Sequence, residues 1–333
     1  MNPTVVLTDH GEILSLVARD LIEQSGARIV DAQRANPEDP VAAMRDADAL
    51  LVIWYPMTAE VIGQLRRCKI ILRLGVGVDN IDLQAEAARG IPVCNVPDYC
   101  TNEVADHAFA LALTLARRLP TLEQCLRSGA WLPEMPPIPA FEDMTFAVAG
   151  FGRIGRAVIA RARPFRFRLV AYDPYLPEET FARENVERTN REALLAEADI
   201  LSLHIPLTSE TRHFINADAL SHMKSSAVLV NTSRGPHIDT VALAEALRQG
   251  TIAGAALDVF ETEPLEPDHP LRTSPNTVLT PHYAWHSAKS GPKLHIMAAE
   301  EIVRALRNEP LQNCVNLRTS AIVTTTTTVS ARG

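Results

Sequence analysis

Three polar side chains follow three apolar runs late in the chain. Arg234 stands in Asn231-Thr-Ser-Arg-Gly235, after the run 227–231. Glu263 stands in Ala256-Leu-Asp-Val-Phe-Glu-Thr-Glu-Pro264, after the run 253–258, and His282 stands in Thr280-Pro-His282, after 278–280. An arginine is the natural fork for a carboxylate. A histidine is the natural proton donor near neutral pH, and a carboxylate beside it orients the ring and favours its charged form. Singly, each residue reads as a surface charge, a turn residue or a loop residue. Together they could grip a small organic acid and pass it a proton.

A second group is made of glycines. Gly150-Phe151-Gly152-Arg153-Ile154-Gly155 follows the apolar run 145–149 and precedes a helical pattern over 156–163. Asp173 comes 18 residues after Gly155, at the end of another apolar run. Strand, Gly-x-Gly-x-x-Gly, helix and distal acid together form the dinucleotide fingerprint. The first glycine makes the tight turn, the second lets backbone approach a pyrophosphate, and the third packs helix on strand. The pyrophosphate would face the free amides and positive dipole end of the helix. Asp173 would accept hydrogen bonds from the ribose hydroxyls and repel a 2′-phosphate, which favours NAD(H) over NADP(H). Arg166 and Arg168 are assigned to the helix end and the strand edge, with Arg166 also within possible reach of the cofactor.

These residues need a scaffold. The runs 5–8, 49–54, 70–74 and 93–96 read as strands, with helices such as 13–24 and 40–45 between them. A second series follows at 145–149, 169–172, 200–204, 227–231, 253–258 and 278–280. Nearly continuous apolar runs mark strands buried on both faces. Strands alternating with helices mean parallel sheets in βαβ units, and two series mean two α/β domains. Ligands of such sheets bind outside the carboxyl ends of the strands, which is where Arg234, Glu263 and His282 stand. The join is expected near 97–101. Residues 103–119 read as one apolar helix buried between domains or subunits. The four prolines within 131–139 mark a loop, and the threonine-rich tail, 319–333, reads as disordered.

Composition narrows the class. The 333 residues, 47% hydrophobic and 22% charged, suit a soluble chain of about two domains. With 32 Lys+Arg against 40 Asp+Glu, binding to nucleic acid would need a local basic patch, and the nearest is Arg161, Arg163, Arg166 and Arg168. No apolar run reaches the roughly 20 residues of a membrane span, and the first residues carry no secretory pattern. The five cysteines are odd in number and lack a CxxC pair, which argues against a disulfide framework or zinc and for a reducing cytoplasm. His282 and His286 have a metal-compatible spacing but no third ligand, so no metal is expected.

Five segments carry a resemblance: Arg73-Leu-Gly-Val-Gly-Val-Asp-Asn80, the glycine loop, and the three segments around Arg234, Glu263 and His282. In this order, over roughly residues 5–318, the chain resembles the D-isomer-specific 2-hydroxyacid dehydrogenase family. The resemblance implies an α/β fold in which a Rossmann-type NAD-binding domain, 100–287, is inserted into a flavodoxin-like substrate-binding domain, 1–99 and 288–318. It implies an active site in the cleft and a homodimer formed through the inserted domain. The implied reaction is NAD-dependent interconversion of a small 2-keto acid and a D-2-hydroxy acid, with Arg234, Glu263 and His282 as catalytic set. Glu263 is preferred to Glu261 because it directly precedes proline.

The same resemblance assigns substrate contacts to Arg73, Val76, Gly77 and Trp285, the backbone amides of Val76 and Gly77 meeting the carboxylate. Beyond Gly150, Gly152, Arg153, Ile154, Gly155 and Asp173, it gives the cofactor Val104, His204, Ile205, Pro206, Thr232, Ser233, Arg234, Asp258 and His282. Asp79 is read as bracing its loop. Tyr172-Asp-Pro-Tyr-Leu176 and Pro281-His-Tyr-Ala-Trp285 resemble the C-terminal-binding protein branch, which would make Trp285 a wall of the substrate pocket. That branch brings an alternative, an NADH-responsive scaffold like its corepressors. A phosphite-oxidising enzyme of the same fold is another. Pro164 and Arg166 stand where relatives tend to have Ala and Gly. A missing glycine costs about 1 kcal/mol where the left-handed conformation is needed.

Overall fold

Short apolar runs become parallel strands because helices cover both faces of each sheet. In the computed structural model, which describes residues 2–9, 14–131 and 134–317, five strands form one sheet. They are β1 (Thr4–Leu7), β2 (Arg28–Asp31), β3 (Ala49–Val52), β4 (Ile70–Arg73) and β5 (Val93–Cys94), in the order β2-β1-β3-β4-β5. That is the flavodoxin-like order. β1, β3 and β4 are buried along their whole length. β2 escapes the apolar-run reading because it is an edge strand whose four residues are all partly or fully exposed. Helix Leu16–Gln24, capped by the Ser15 hydroxyl, packs against Ser290–Leu306 in the same unit. The start of the expected helix 13–24 and the tail 319–333 lie outside the described residues.

The second sheet holds β6 (Thr145–Ala149), β7 (Arg168–Tyr172), β8 (Glu187–Arg188), β9 (Ile200–Leu203), β10 (Val228–Asn231), β11 (Gly254–Leu257) and β12 (Thr277–Leu279). All are parallel, in the order β12-β11-β10-β9-β6-β7-β8. This is the Rossmann order with an additional parallel strand at one edge, and the winding reverses between β6 and β9. Alternate residues feed two cores. Ala147, Ala149, Leu201, Leu203, Leu229, Ala255 and Leu257 face one, while Phe146, Val148, Ile200, Val228, Val230 and Ala256 face the other. Both faces being dry explains why these strands read as unbroken apolar runs. The chain divides into two compact units, Met1–Tyr99 with Ser287–Gly333, and Cys100–His286.

The expected single helix over 103–119 is two. Thr101–Ala116 ends, Arg118 takes a left-handed φ of 52°, and Leu119–Arg127 begins. Pro120 explains the break: its ring would clash with the carbonyl of Ala116, and it has no amide to donate there. The helix Thr101–Ala116 packs inside the second unit, where Ala105, Ala108, Phe109 and Ala112 join the core with Phe146 and Ile159. Arg166 takes φ 65°, so the departure from glycine noted in the sequence does fall on a left-handed position.

The four clustered arginines are engaged by acids or carbonyls. Arg161 donates to Asp106 (2.5 Å) and Arg163 to the Glu184 carbonyl (2.5 Å). Arg166 lies 3.5 Å from Glu142, and Arg168 forks onto Glu187 and reaches Glu197 (2.8 Å). No helix among the described residues is long and apolar enough to cross a membrane.

Candidate active site

The glycine loop joins β6 to the helix Arg153–Ala162, and its three glycines have three separate reasons to lack a side chain. Gly150 has φ 91°, and a Cβ there would lie 2.4 Å from the His204 carbonyl oxygen. A Cβ on Gly155 would lie 2.0 Å from the Gly150 carbonyl oxygen. A Cβ on Gly152 would meet nothing within 4 Å. The first and third glycines are therefore demanded by the protein itself, and the second by what approaches from outside. Gly152 and Arg153 are exposed and Ile154 is half-buried, at the amino end of a ten-residue helix. An open backbone cradle with the helix amides behind it suits a pyrophosphate.

Asp173 follows β7 and is held rigidly. One carboxylate oxygen accepts the Phe151 amide (3.0 Å) and the other accepts the Tyr175 amide (3.1 Å). The acid is thus tied to the glycine loop at the carboxyl end of β7. Arg166 and Arg168 stand at the amino end of that strand, paired with glutamates. The possible contact of Arg166 with a cofactor is corrected accordingly: it sits at the wrong end of strand and helix.

Around this loop the other expected cofactor residues fall on β9, β10 and the helix Thr101–Ala116. His204 directly follows β9 and meets the Ser202 hydroxyl (2.8 Å), and burial pushes its pKa down to about 3. Ile205 is buried, and the exposed Pro206 accepts the Thr211 hydroxyl on its carbonyl (2.7 Å). Val104 is buried on its helix. After β10, Thr232 buries a hydroxyl oxygen that meets no hydrogen-bond partner among the described residues. A buried polar atom left without a partner is costly unless a ligand completes it. With the open cradle at Gly152, this orphan fits a bound dinucleotide. Ser233 donates its hydroxyl to Asn231 (2.8 Å) and meets His237 (3.1 Å), so that side chain braces the turn. Asn231 in turn donates to the Arg234 carbonyl (2.8 Å) and so ties down the backbone that carries Arg234.

His282 and Glu263 are brought together. His282 Nδ1 lies 2.7 Å from Glu263 Oε2, and Glu263 Oε1 accepts the Phe260 amide (2.8 Å). Burial raises the Glu263 pKa, but the His282 hydrogen bond and charge, the Phe260 amide and the Arg234 charge outweigh it and hold the carboxyl below its usual range. Glu261 goes elsewhere. It accepts the Thr240 amide (3.1 Å) and hydroxyl (2.7 Å) and meets His213 (2.7 Å).

Asp258 positions this pair. Its backbone oxygen accepts the His282 amide (2.7 Å). One side-chain oxygen accepts the Thr280 hydroxyl (2.5 Å) and the Tyr283 amide (2.9 Å), and the other accepts the Ala284 amide (2.9 Å). The turn so held carries His282 at φ 53°, a conformation that L residues adopt only under constraint. His107 adds to it from the helix Thr101–Ala116, 3.1 Å from the Thr280 hydroxyl. Sequence reasoning missed His107, Thr280 and Asn231. A histidine inside an apolar helical stretch was the one available signal for His107.

In the first unit, Arg73 ends β4 and is only 8% exposed. Its guanidinium donates to the Leu74 carbonyl (3.0 Å) and lies over the Trp54 ring at 5.7 Å. A Cβ on Gly75 would strike that guanidinium. Arg73 thus shapes the loop that carries Gly75. The partly exposed Val76 and Gly77 follow, with the Val76 carbonyl held by Asn95 (2.6 Å). In the second unit, Trp285 stands edge-on to His286 at 5.2 Å, and His286 stacks on Tyr283 at 4.4 Å.

Residues 109–284 match the family model described as D-isomer specific 2-hydroxyacid dehydrogenase, NAD binding domain. The chain is 41% identical to a glyoxylate reductase of Korarchaeum cryptofilum over 83% of this chain and 85% of that protein. It is 39% identical to a D-3-phosphoglycerate dehydrogenase of Methanocaldococcus jannaschii over 92% of its own length but only 60% of that longer protein. Among solved structures it resembles a D-lactate dehydrogenase of Aquifex aeolicus complexed with NAD and lactic acid, with TM-score 0.81, 28% identity and coverage of 92% and 96% of the two chains. With its dinucleotide cradle and that family's sequence over more than half its length, the chain belongs to the D-isomer-specific 2-hydroxyacid dehydrogenases and is an NAD-dependent oxidoreductase.

Proposed function

We propose that this chain interconverts a 2-keto acid and a D-2-hydroxy acid, with His282 and Glu263 as the acid–base pair and Arg234 as the carboxylate clamp. The observation that carries this reading is the 2.7 Å contact between His282 and Glu263 beyond the strands of the sheet that also forms the glycine cradle. NADH, when bound, supplies the hydride for C2 of the keto acid. Arg234 follows β10 and neutralises the substrate carboxylate. Because Nδ1 of His282 is engaged by Glu263, Nε2 is the atom that delivers a proton to the carbonyl oxygen and recovers it in the reverse direction.

Asp173 governs the choice of cofactor in this proposal. A carboxylate anchored beside the glycine loop accepts the ribose hydroxyls and repels a 2′-phosphate, and the nearest sequence cations are paired elsewhere. Asp173→Ala is expected to narrow the NADH/NADPH ratio of kcat/KM. A wild-type enzyme that already used the two cofactors equally would contradict the assignment.

The relatives act on different acids by name, and we place the preference of this chain with Trp285. The likeness of Pro281-His-Tyr-Ala-Trp285 to the C-terminal-binding protein branch supports reading its indole as an apolar wall. Glyoxylate has no side chain to meet such a wall, whereas a thioether gains about 0.3–1.5 kcal/mol from an aromatic ring. We expect 4-methylthio-2-oxobutyrate and phenylpyruvate to exceed glyoxylate in kcat/KM. Trp285→Ala should weaken the two larger substrates and leave glyoxylate nearly unchanged, in an assay of nicotinamide absorbance. A wild type that favours glyoxylate would overturn the wall. A chain that binds NADH yet turns over no keto acid would favour the scaffold reading.

Self-association is assigned to the second unit. Leu119, Leu126 and Trp131 there are 51%, 61% and 82% exposed, an unusual amount of apolar surface for one short helix and the loop after it.

A further inference from the structure

Cys94 ends β5, an edge strand of the first sheet. Cys314 lies opposite it in an antiparallel bridge, some 220 residues later in the chain. The hydrogen bonds of that bridge flank the pair: the Asn95 amide donates to the Asn313 carbonyl (3.3 Å) and the Val315 amide to the Val93 carbonyl (2.8 Å). This is the narrow pairing of an antiparallel ladder, in which opposed Cα atoms stand about 4.5 Å apart and the two side chains leave on the same face. A disulfide spans Cα separations of about 4.4–6.8 Å, so the backbone need not move to make one.

The register is pinned on both sides. Asn316 accepts the Val93 amide (2.8 Å) and donates to the Ile91 carbonyl (2.9 Å). The buried Glu301 accepts the amides of Gln312 (2.7 Å) and Asn313 (3.0 Å). Cys94 is buried and Cys314 partly exposed, so a reagent from solution meets Cys314 first. A hydrogen bond shared by the two thiols lowers the pKa of Cys314 and raises that of Cys94, which makes Cys314 the attacking thiolate. Cys68, by contrast, is pushed up to about 12 by burial.

We propose that Cys94 and Cys314 form a reversible disulfide that clips the segment 311–317 onto β5. The Cys314 thiolate attacks one sulfur of a low-molecular-weight disulfide, expels one thiolate and becomes a mixed disulfide. The Cys94 thiol then loses its proton and attacks the Cys314 sulfur, expelling the second small thiol. Two protein thiols are oxidised by two electrons, and the small disulfide is reduced to two thiols. The bond ties together the two stretches of chain that make the first unit and closes a loop containing all of the second. Cross-links closing long loops restrict the unfolded chain most, so the oxidised protein resists unfolding. Nothing in this step depends on turnover of a keto acid.

The test uses the full chain equilibrated with oxidised glutathione, quenched in acid and digested without reduction. Two of the five thiols should be lost, mass spectrometry should find one peptide pair joining Cys94 to Cys314 with no glutathione retained, and dithiothreitol should reverse it. In Cys94→Ser, Cys314 should instead hold one glutathione. The oxidised wild type should unfold at a higher urea concentration than the reduced form, a shift absent in Cys94→Ser and Cys314→Ser. Glutathione remaining on Cys314 of the wild type, a bond from Cys314 to another cysteine, or two unreacted thiols would each overturn the proposal. The wild-type peptide map decides the matter even if a serine variant does not fold.

Discussion

Replacing His282 by asparagine is expected to lower kcat/KM for keto-acid reduction by about 10²–10⁴-fold, the usual contribution of a positioned general acid. Asparagine suits the test because it tolerates a positive φ, and His282 sits at 53°. The turn held by Asp258 should therefore survive, and NADH should still bind, as fluorescence titration would show. An asparagine variant of near-normal activity would remove His282 from the chemistry.

Glu263→Gln removes the carboxylate that lies 2.7 Å from His282 Nδ1, so kcat/KM should fall in both directions, and unchanged kcat/KM would exclude Glu263 as the partner. The pH dependence of the same pair has a definite sign. The carboxyl of Glu263 is held below its ordinary value in the folded chain. Its pairing therefore contributes stability above the unfolded carboxylate pKa of about 4.3, and loses it as pH falls through the lowered one. The glutamine variant should lack that acid-side loss in urea titrations.

The second large effect is expected at the glycine loop, where two alanine substitutions should fail in different ways. A methyl on Gly155 would sit 2.0 Å from the Gly150 carbonyl, so Gly155→Ala must displace backbone and should lower Tm. A methyl on Gly152 meets no protein atom within 4 Å, so Gly152→Ala should fold with Tm unchanged. It would occupy the space where backbone and pyrophosphate approach each other. Overpacking of that kind costs about 1–3 kcal/mol, which corresponds to a rise of about 5- to 150-fold in the Kd for NADH. Calorimetric titration beside a thermal melt separates the two failures. Normal NADH affinity in Gly152→Ala would place the pyrophosphate elsewhere.

Local chemistry made much of this legible in the sequence. Apolar runs at β6, β9, β10 and β11 announce strands buried on both faces, and the glycine spacing with its distal acid needs only neighbours within some twenty residues. Both signals survive in one dimension because each is short-range, and they were enough for the α/β class and the dinucleotide cradle. β2 and β8 were not legible, because edge strands keep solvent on one side and their Arg, Asp and Glu side chains hide the run. The break at Pro120 was written in the chain but was outweighed by the apolar pattern around it.

What only the tertiary structure decided is pairing over distance. Glu261 and Glu263 differ by two positions in a loop. Which one faces His282, 19 residues on, depends on how β11 and β12 lie side by side and on the Asp258 contacts that hold the turn after β12. His107 comes to Thr280 across 173 positions, because the helix Thr101–Ala116 lies against the sheet. Arg73 carries the same charge as any other arginine in the sequence, and only the tertiary structure lays its guanidinium over the Trp54 ring and onto the Leu74 carbonyl. Cys94 and Cys314 show no spacing motif at all. They meet because the last described segment returns to lie along β5, after the chain has built an entire second sheet between them.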